Sequence, residues 1–339
     1  YAASPLFNSH QEGSQGYKEL WYRAAKANKE LIETCEDAGM RLIDDYENLW
    51  DAKSYSIAID ELIFGCRAIR ATNSFEKYNF PVGLENCRGG NCPTQTLVDA
   101  YELKDSGERP DKKADYDKNK PYYEGRDPRF EKTIAKNGDT KWPNWNETAL
   151  ETYQGGANAE PLSGGTPTGY YLKKYCQTSI NTTTAKPTTD NHTWIIYRLG
   201  EFYLNYAEAL FKYLGTAYAT NNEFPIPANE MVSKTRRRTK VNMPKFPAGL
   251  DNKLWWEKYQ NERMVELAFE GHRFWDVRRW KEGDKHFSSI DEMKIYKSGD
   301  SYSYRRVTVN RQWDDKMYFF PIPQSEKAKN PNLTQNPGW

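Results

Sequence analysis

Glu262, Glu266 and Glu270 recur at four-residue steps within Asp251 to Trp280, DNKLWWEKYQNERMVELAFEGHRFWDVRRW. Residues spaced this way stack on one side of a helix. Asp251 is placed to cap such a helix by accepting from its unpaired first-turn amides, and Gly271 supplies a stop. At 100° per residue, Leu254, Trp255, Met264, Val265, Ala268 and Phe269 share one broad apolar arc, which makes that face core. Glu262 falls inside the arc, while Glu266 and Glu270 follow its edge. Like charges in a row repel, and a carboxylate cannot be buried without a partner. The helix therefore demands cations, and Arg263, Arg273, Arg278 and Arg279 are close in sequence. Ligand or catalytic roles for the three acids are the alternative. A structural Glu/Arg network is preferred, because no histidine pattern or Gly-rich site accompanies them.

A chain of 339 residues can bury a large core and hold sub-domains. Its 48 basic and 47 acidic residues balance, which argues against a nucleic-acid footprint or a polybasic membrane patch. The outlier is 11 Trp, 24 Tyr and 14 Phe in a hydrophilic chain, a combination that suits rings on loops and surfaces. No apolar run approaches the roughly 20 residues of a membrane span, and the start does not read as a signal peptide. Tyr-Ala-Ala-Ser-Pro-Leu-Phe looks like the tail of a helix stopped by Pro5, so residues before Tyr1 are expected. Cys35, Cys66, Cys87, Cys92 and Cys176 fit no zinc pattern. Cys87 and Cys92 flank a Gly-rich turn at a spacing that allows a small disulfide loop, which would imply an oxidising compartment. No P-loop, G-x-S-x-G or HExxH motif occurs, no metal or cofactor is called for, and His10, His192, His272 and His286 are scattered and read as structural or exposed.

Along the chain, 17–35 reads as an amphipathic helix with Leu20, Ala24, Ala27, Leu31 and Ile32 inward, and 41–50 as a short pattern ending at Leu49 and Trp50. Ile57 to Phe64 looks like a strand. From 65 to 192 apolar periodicity nearly vanishes; a loop region of this length tends to carry function. Within it, PTQTLVDAY reads as a short helix, and Asp127 and Arg129 bracket Pro128 in a turn they fix by hydrogen bonds. Helical order returns at Trp194 to Leu214. The basic stretch TRRRTKVNMPKFP is best read as an ion-paired or solvated face, and Arg305–Val309 and Lys316–Ile322 as short strands.

Taken together these segments resemble the RagB/SusD family of outer-membrane nutrient-binding lipoproteins. The pieces that carry the resemblance are YAASPLFN, PTQTLVDAYE, RDPRF, TGYYLKKY, YRLGEFYLNYAEAL, NERMVELAFEGHRFWDVRRW and FFPIPQSEKAKNPNLTQNPGW, in the family's order. The resemblance implies a mainly α fold: a tetratricopeptide-like helical-repeat scaffold with a loop-rich lobe and a few short strands. On that basis 1–64 is scaffold, incomplete at its start, 65–192 the ligand-binding lobe, and 193–339 scaffold plus tail. It also implies a cell-surface lipoprotein of the outer membrane that works with a SusC-like TonB-dependent transporter. The acylated cysteine and first helical repeats have no counterpart here, and the usual Ile-Arg-x-Arg-Ala segment appears as Lys234 to Thr239, KTRRRT.

Family motifs are scaffold motifs and name no ligand residue. A sugar offers an apolar C–H face for a ring and a rim of hydroxyls for amides and charges. Arg67 to Asn91 has that mixed chemistry, with Arg70, Asn73, Phe75, Tyr78, Phe80 and Asn86 as candidates. Trp142, Trp145, Asn146 and Tyr153 form a second, less favoured segment; rings in either segment also serve to pin long loops. The preferred function is non-catalytic binding of oligosaccharide or polysaccharide and its delivery to the transporter. Peptide capture is the alternative within the family. A glycoside hydrolase is less favoured, since the best-spaced acids sit beside arginines that lower a carboxyl's pKa. A helical-repeat adaptor that binds only protein has no need of a long aromatic loop region.

Overall fold

The computed structural model describes residues 1–339. Ser14 accepts from the Tyr17 amide and starts α1 (Gln15–Asp37). Tyr17, Trp21, Ala25 and Ile32 form its buried face. Leu20, Ala24 and Leu31 lie at the margin of the core, and Ala27 faces solvent. A short 3₁₀ turn at Tyr46–Leu49 buries Leu49 and Trp50, and α2 (Tyr55–Ala58) follows. The first strand, β1 (Leu62–Arg67), therefore begins later than the pattern in Ile57 to Phe64 suggested.

The region after β1 is built mostly of turns. It contains α3 (Ser74–Asn79), α4 (Gln95–Ala100) with Thr94 as its cap, α5 (Arg129–Thr133), and the paired two-residue strands β2 (Ile134–Ala135) and β3 (Tyr171–Leu172). Then β4 (Thr193–Arg198) returns antiparallel to β1, with Phe64 opposite Tyr197. Helix α6 (Leu199–Leu214) follows at once and ends on Gly215, whose φ is +76°. Trp194 to Arg198, expected as the start of that helix, is strand: Thr193, Trp194 and Ile195 pair with β1 residues.

Helices α7 (Ala228–Arg236) and α8 (Asn252–Glu266) complete a four-helix core with α1 and α6, in which Trp21, Leu204, Leu210, Val232, Trp255 and Tyr259 meet. Asp251 caps α8 as expected, accepting from the Leu254 amide at 2.8 Å. The helix stops at Glu266, not Gly271; Phe269 and Gly271 both take positive φ, and α9 (His272–Arg279) sets off from there. Leu254 and Phe269 consequently face solvent, while Trp255, Val265 and Ala268 are core. After α10 (Gly283–Phe287), the hairpin of β5 (Ser289–Ser298) and β6 (Ser301–Asn310) lays Met293 and Ile295 against Val98 and Tyr170. The strand expected at Lys316–Ile322 is instead a 3₁₀ turn and unpaired extended chain before α11 (Gln324–Lys329). Pro321 and Pro323 have no amide to give to a ladder. No helix is long and apolar enough to cross a membrane.

The glutamates of α8 anchor this arrangement. Glu266 accepts from Arg129 Nη1 at 2.6 Å, Arg198 Nη1 at 2.8 Å and Arg238 Nη2 at 3.0 Å. Glu262 accepts from Arg129 at 2.7 Å and Arg236 at 2.9 Å. Glu270, reaching in from the turn, takes Arg198 Nε at 2.8 Å and Lys174 Nζ at 2.7 Å. Glu61, Glu102 and Asp127 complete the set of acids, and Lys258 completes the cations through Glu102. All of these side chains are nearly or wholly buried. The four arginines close in sequence do not serve the stripe. Arg263 and Arg279 pair with Asp276, Arg279 also holds Glu208, Arg278 lies 3.5 Å over the Phe274 ring, and Arg273 donates to His286. Gly200 makes room for the network: a Cβ there would sit 2.5 Å from Arg198 Nη1 and 2.9 Å from Glu61 Oε1.

Removing one partner from a buried ion network strands the others, at a cost of about 3–5 kcal/mol. Glu266→Ala should lose stability on that scale in urea denaturation, whereas Arg23→Ala, which breaks an exposed pair with Glu19, should lose less than about 1 kcal/mol. A second expectation concerns acid. Burial alone would raise the Glu270 pKa, but Arg198 and Lys174 outweigh it and hold it at about 2, against 4.5 for an ordinary glutamate. The unfolded chain therefore takes up this proton first. The resulting stability is complete above pH 4.5 and is lost as pH falls towards 2. Urea midpoints measured across that range should fall less steeply in Glu270→Gln than in the parent.

Candidate functional site: a groove beside α3

Helix α3 turns the candidate residues in different directions. Phe75 points inward, with its ring 4.9 Å from that of Trp194 and 6.0 Å from that of His192. Phe80 has no exposed surface and packs edge-on against Trp142 at 5.5 Å, so it is core and corrects the expectation of a ligand contact there. Asn73 donates to the Thr188 carbonyl at 3.1 Å and ties the loops together. Arg70 is exposed and stands apart from the groove. Tyr78 and Asn86 are brought together. They line an open groove of about 530 Å³ with Ser74, Lys77, Cys87 and Arg88.

Tyr78 is 52 % exposed. Its ring lies against the backbone of Gly90: a Cβ at that residue would fall 2.2 Å from the ring, and the Gly90 amide donates to the Tyr78 carbonyl at 2.7 Å. Only glycine permits this approach, and it leaves a backed ring that stays half exposed. Asn86 adopts φ +64° and spends its amide on the Thr182 carbonyl at 2.8 Å, so Oδ1 stays available. Asn91 donates to Asn79 at 2.6 Å and braces the loop from behind. Cys87 and Cys92 are not joined; Cys87 Sγ lies 3.2 Å from Thr182 Oγ1, and burial pushes its thiol pKa up to about 11. No group of His, Cys, Asp and Glu is placed to hold a metal ion.

The second aromatic segment pins loops. Trp142 is buried under Phe80, Trp145 Nε1 donates to the Ile180 carbonyl at 2.8 Å, Asn146 is buried, and Tyr153 packs near Tyr302. Another cavity, of about 330 Å³ between α1, α6 and α8, has Trp256 in its wall. Lys212 covers that ring at 4.3 Å, so it offers no free face. Ser74, Lys77, Cys87 and Arg88 are the groove residues that sequence reasoning missed. They stand within the favoured segment, where no local pattern separates groove-facing residues from their neighbours.

The histidines have structural partners or are exposed. His192 Nε2 lies 2.8 Å from Glu76 Oε1, His286 Nε2 lies 3.0 Å from Glu282, and burial lowers the His272 pKa to about 4. His10 is on the surface.

No curated protein sequence matches the chain. Among solved structures, a SusD-like protein from Bacteroides fragilis is 25 % identical with a TM-score of 0.74, covering 99 % of this chain and 68 % of that one. A SusD-like carbohydrate binding protein from the same species is 24 % identical with a TM-score of 0.72, covering 94 % of this chain and 62 % of that one. Surface glycan-binding protein A from Bacteroides fluxus is 21 % identical with a TM-score of 0.57, covering 95 % and 60 %. These likenesses bear out the mainly helical, tetratricopeptide-like scaffold. They point to no enzyme family. The model of the SusD family matches residues 61–339, well over half of the sequence, and the chain belongs to that family.

Proposed function

We propose that this protein is a non-catalytic glycan binder, that the groove beside α3 is its binding face, and that Tyr78 is the stacking platform. The observation that carries the proposal is the seating of Tyr78 on Gly90, which fixes one half-exposed ring beside polar groups in an open groove. A ring held in place loses little freedom when a sugar stacks on it. Two proteins of the same fold are described as carbohydrate- or glycan-binding, which supports the class of ligand. The family membership supports a wider setting: an outer-membrane lipoprotein that passes captured oligosaccharide or polysaccharide to a SusC-like TonB-dependent transporter.

Hydrolysis fits the groove poorly. A general acid needs a raised pKa close to the scissile bond. Glu85, next to the groove, is lowered by its hydrogen bonds to Thr184, and Glu76 is buried against His192 and the Gln177 amide.

Affinity electrophoresis in gels containing a broad set of polysaccharides should show retardation by at least one of them. Tyr78→Ala should weaken that binding about tenfold or more, the scale of one lost aromatic contact with its buried area, with the melting temperature unchanged. Gly90→Ala should weaken it too, by pushing the ring out of place. No reducing sugar should accumulate over hours of incubation. Retention by peptides in place of every glycan would overturn the proposal in favour of peptide capture, and steady product release would overturn it in favour of an enzyme.

A further inference from the structure

We infer that the groove beside α3 selects acidic glycans, those carrying uronate carboxylates or sulfate esters, over their neutral counterparts. The inference rests on reading the groove as the glycan site and adds the charge of its ligand. It comes from where ion pairs are missing. The chain balances 48 basic against 47 acidic residues, and its ion pairs are so extensive that even most buried arginines hold a carboxylate. In the groove two basic side chains stand without such a partner. Lys77 and Arg88 both line it, and neither has a carboxylate within 4.0 Å or a side-chain hydrogen bond to the protein.

The nearby acids are engaged elsewhere and do not line the groove. Glu76 is fully buried and receives the Gln177 amide at 2.9 Å and His192 at 2.8 Å. Glu85 Oε1 is turned to the Thr184 amide at 2.8 Å. The other lining groups, Ser74, Tyr78, Asn86 and Cys87, are uncharged at neutral pH, with burial raising the Cys87 thiol. The groove therefore presents two cations without a direct carboxylate contact beside one seated ring. A neutral sugar would use the ring and the amide and leave both charges idle. An acidic sugar stacked on Tyr78 carries its anionic substituent at the ring's edge, where a flexible ammonium and a guanidinium fork can reach it.

Two partly exposed charge contacts are together worth about tenfold in affinity. The test uses matched pairs in calorimetric titrations of the intact protein: oligogalacturonate against its methyl ester, and a sulfated galactan oligosaccharide against its desulfated form. The acidic member of at least one pair should bind about tenfold tighter at low salt, and the gap should shrink in 0.5 M NaCl, where the screening length is only several ångströms. Which pair shows the gap tells carboxylate from sulfate. Lys77→Gln combined with Arg88→Gln should bring the acidic ligand down to the level of the neutral one with an unchanged melting temperature. Equal binding within both pairs would overturn the inference and leave glycan binding standing. A gap that survives in the double variant would overturn it as well, by placing the selecting charge elsewhere. Absence of binding by any glycan, neutral or acidic, would instead sink the glycan reading on which the inference rests.

Discussion

The carboxylate of Glu266 is the point on which the rest of the structure closes. Its three arginine partners come from three separate places: Arg129 from the turn-rich region, Arg198 from the junction of β4 and α6, and Arg238 from just beyond α7. Burying an ionised group costs several kcal/mol, and only complete pairing offsets that. The network thus has one satisfactory arrangement, in which the turn-rich region is docked on the four-helix core. Arg129 also holds Glu262, and Lys174 holds Glu270, so this region contributes cations to acids carried by the scaffold. Within this region Phe80, Trp142, Leu150 and Tyr171 form a small core of their own, which does not by itself fix the region's position on the scaffold. Here charge supplies the register.

This division explains what was legible in the sequence. A carboxylate inside an apolar arc is visible as a pattern, and the need for cations follows from it. Which cations answer is not visible, because helix geometry sends neighbours in sequence to different faces. Arg263 follows Glu262 by one residue, about 100° around the helix, and meets Asp276 and Asn205 instead. The end of α8 was misjudged for a related reason. A four-residue repeat suggests a continuous helix, yet Glu270 reaches Arg198 and Lys174 from a turn in which Phe269 takes a left-handed conformation. At 194–198, a run of apolar and β-branched residues ahead of a true helix looks like its first turns; the partner strand Leu62–Arg67 lies far back in the chain, where no local pattern points to it.

The groove was legible to a similar extent. Tyr78 and Asn86 share a segment of mixed chemistry, and the structure brings them into one wall. Phe75 and Phe80 belong to the same segment and turn inward because Trp194, His192 and Trp142, distant in sequence, wait there to cover them. In an irregular segment no period separates inward from outward rings. The cations were equally hidden. A lysine without a partner looks like any other lysine until the positions of all nearby acids are known.

A ring backed by glycine, set in a shallow groove, implies a particular mode of capture. The open geometry lets a long chain lie across the site without threading, and a single seated ring gives a weak contact per sugar unit. On the glycan reading, affinity for a polymer accumulates through repeated contacts. The engagement of Glu76 and Glu85 with the protein itself fits the same logic. Neither is poised to donate a proton to a glycosidic oxygen. The buried ion network fixes the turn-rich region on the scaffold, and Gly90 seats the ring at the surface of that region.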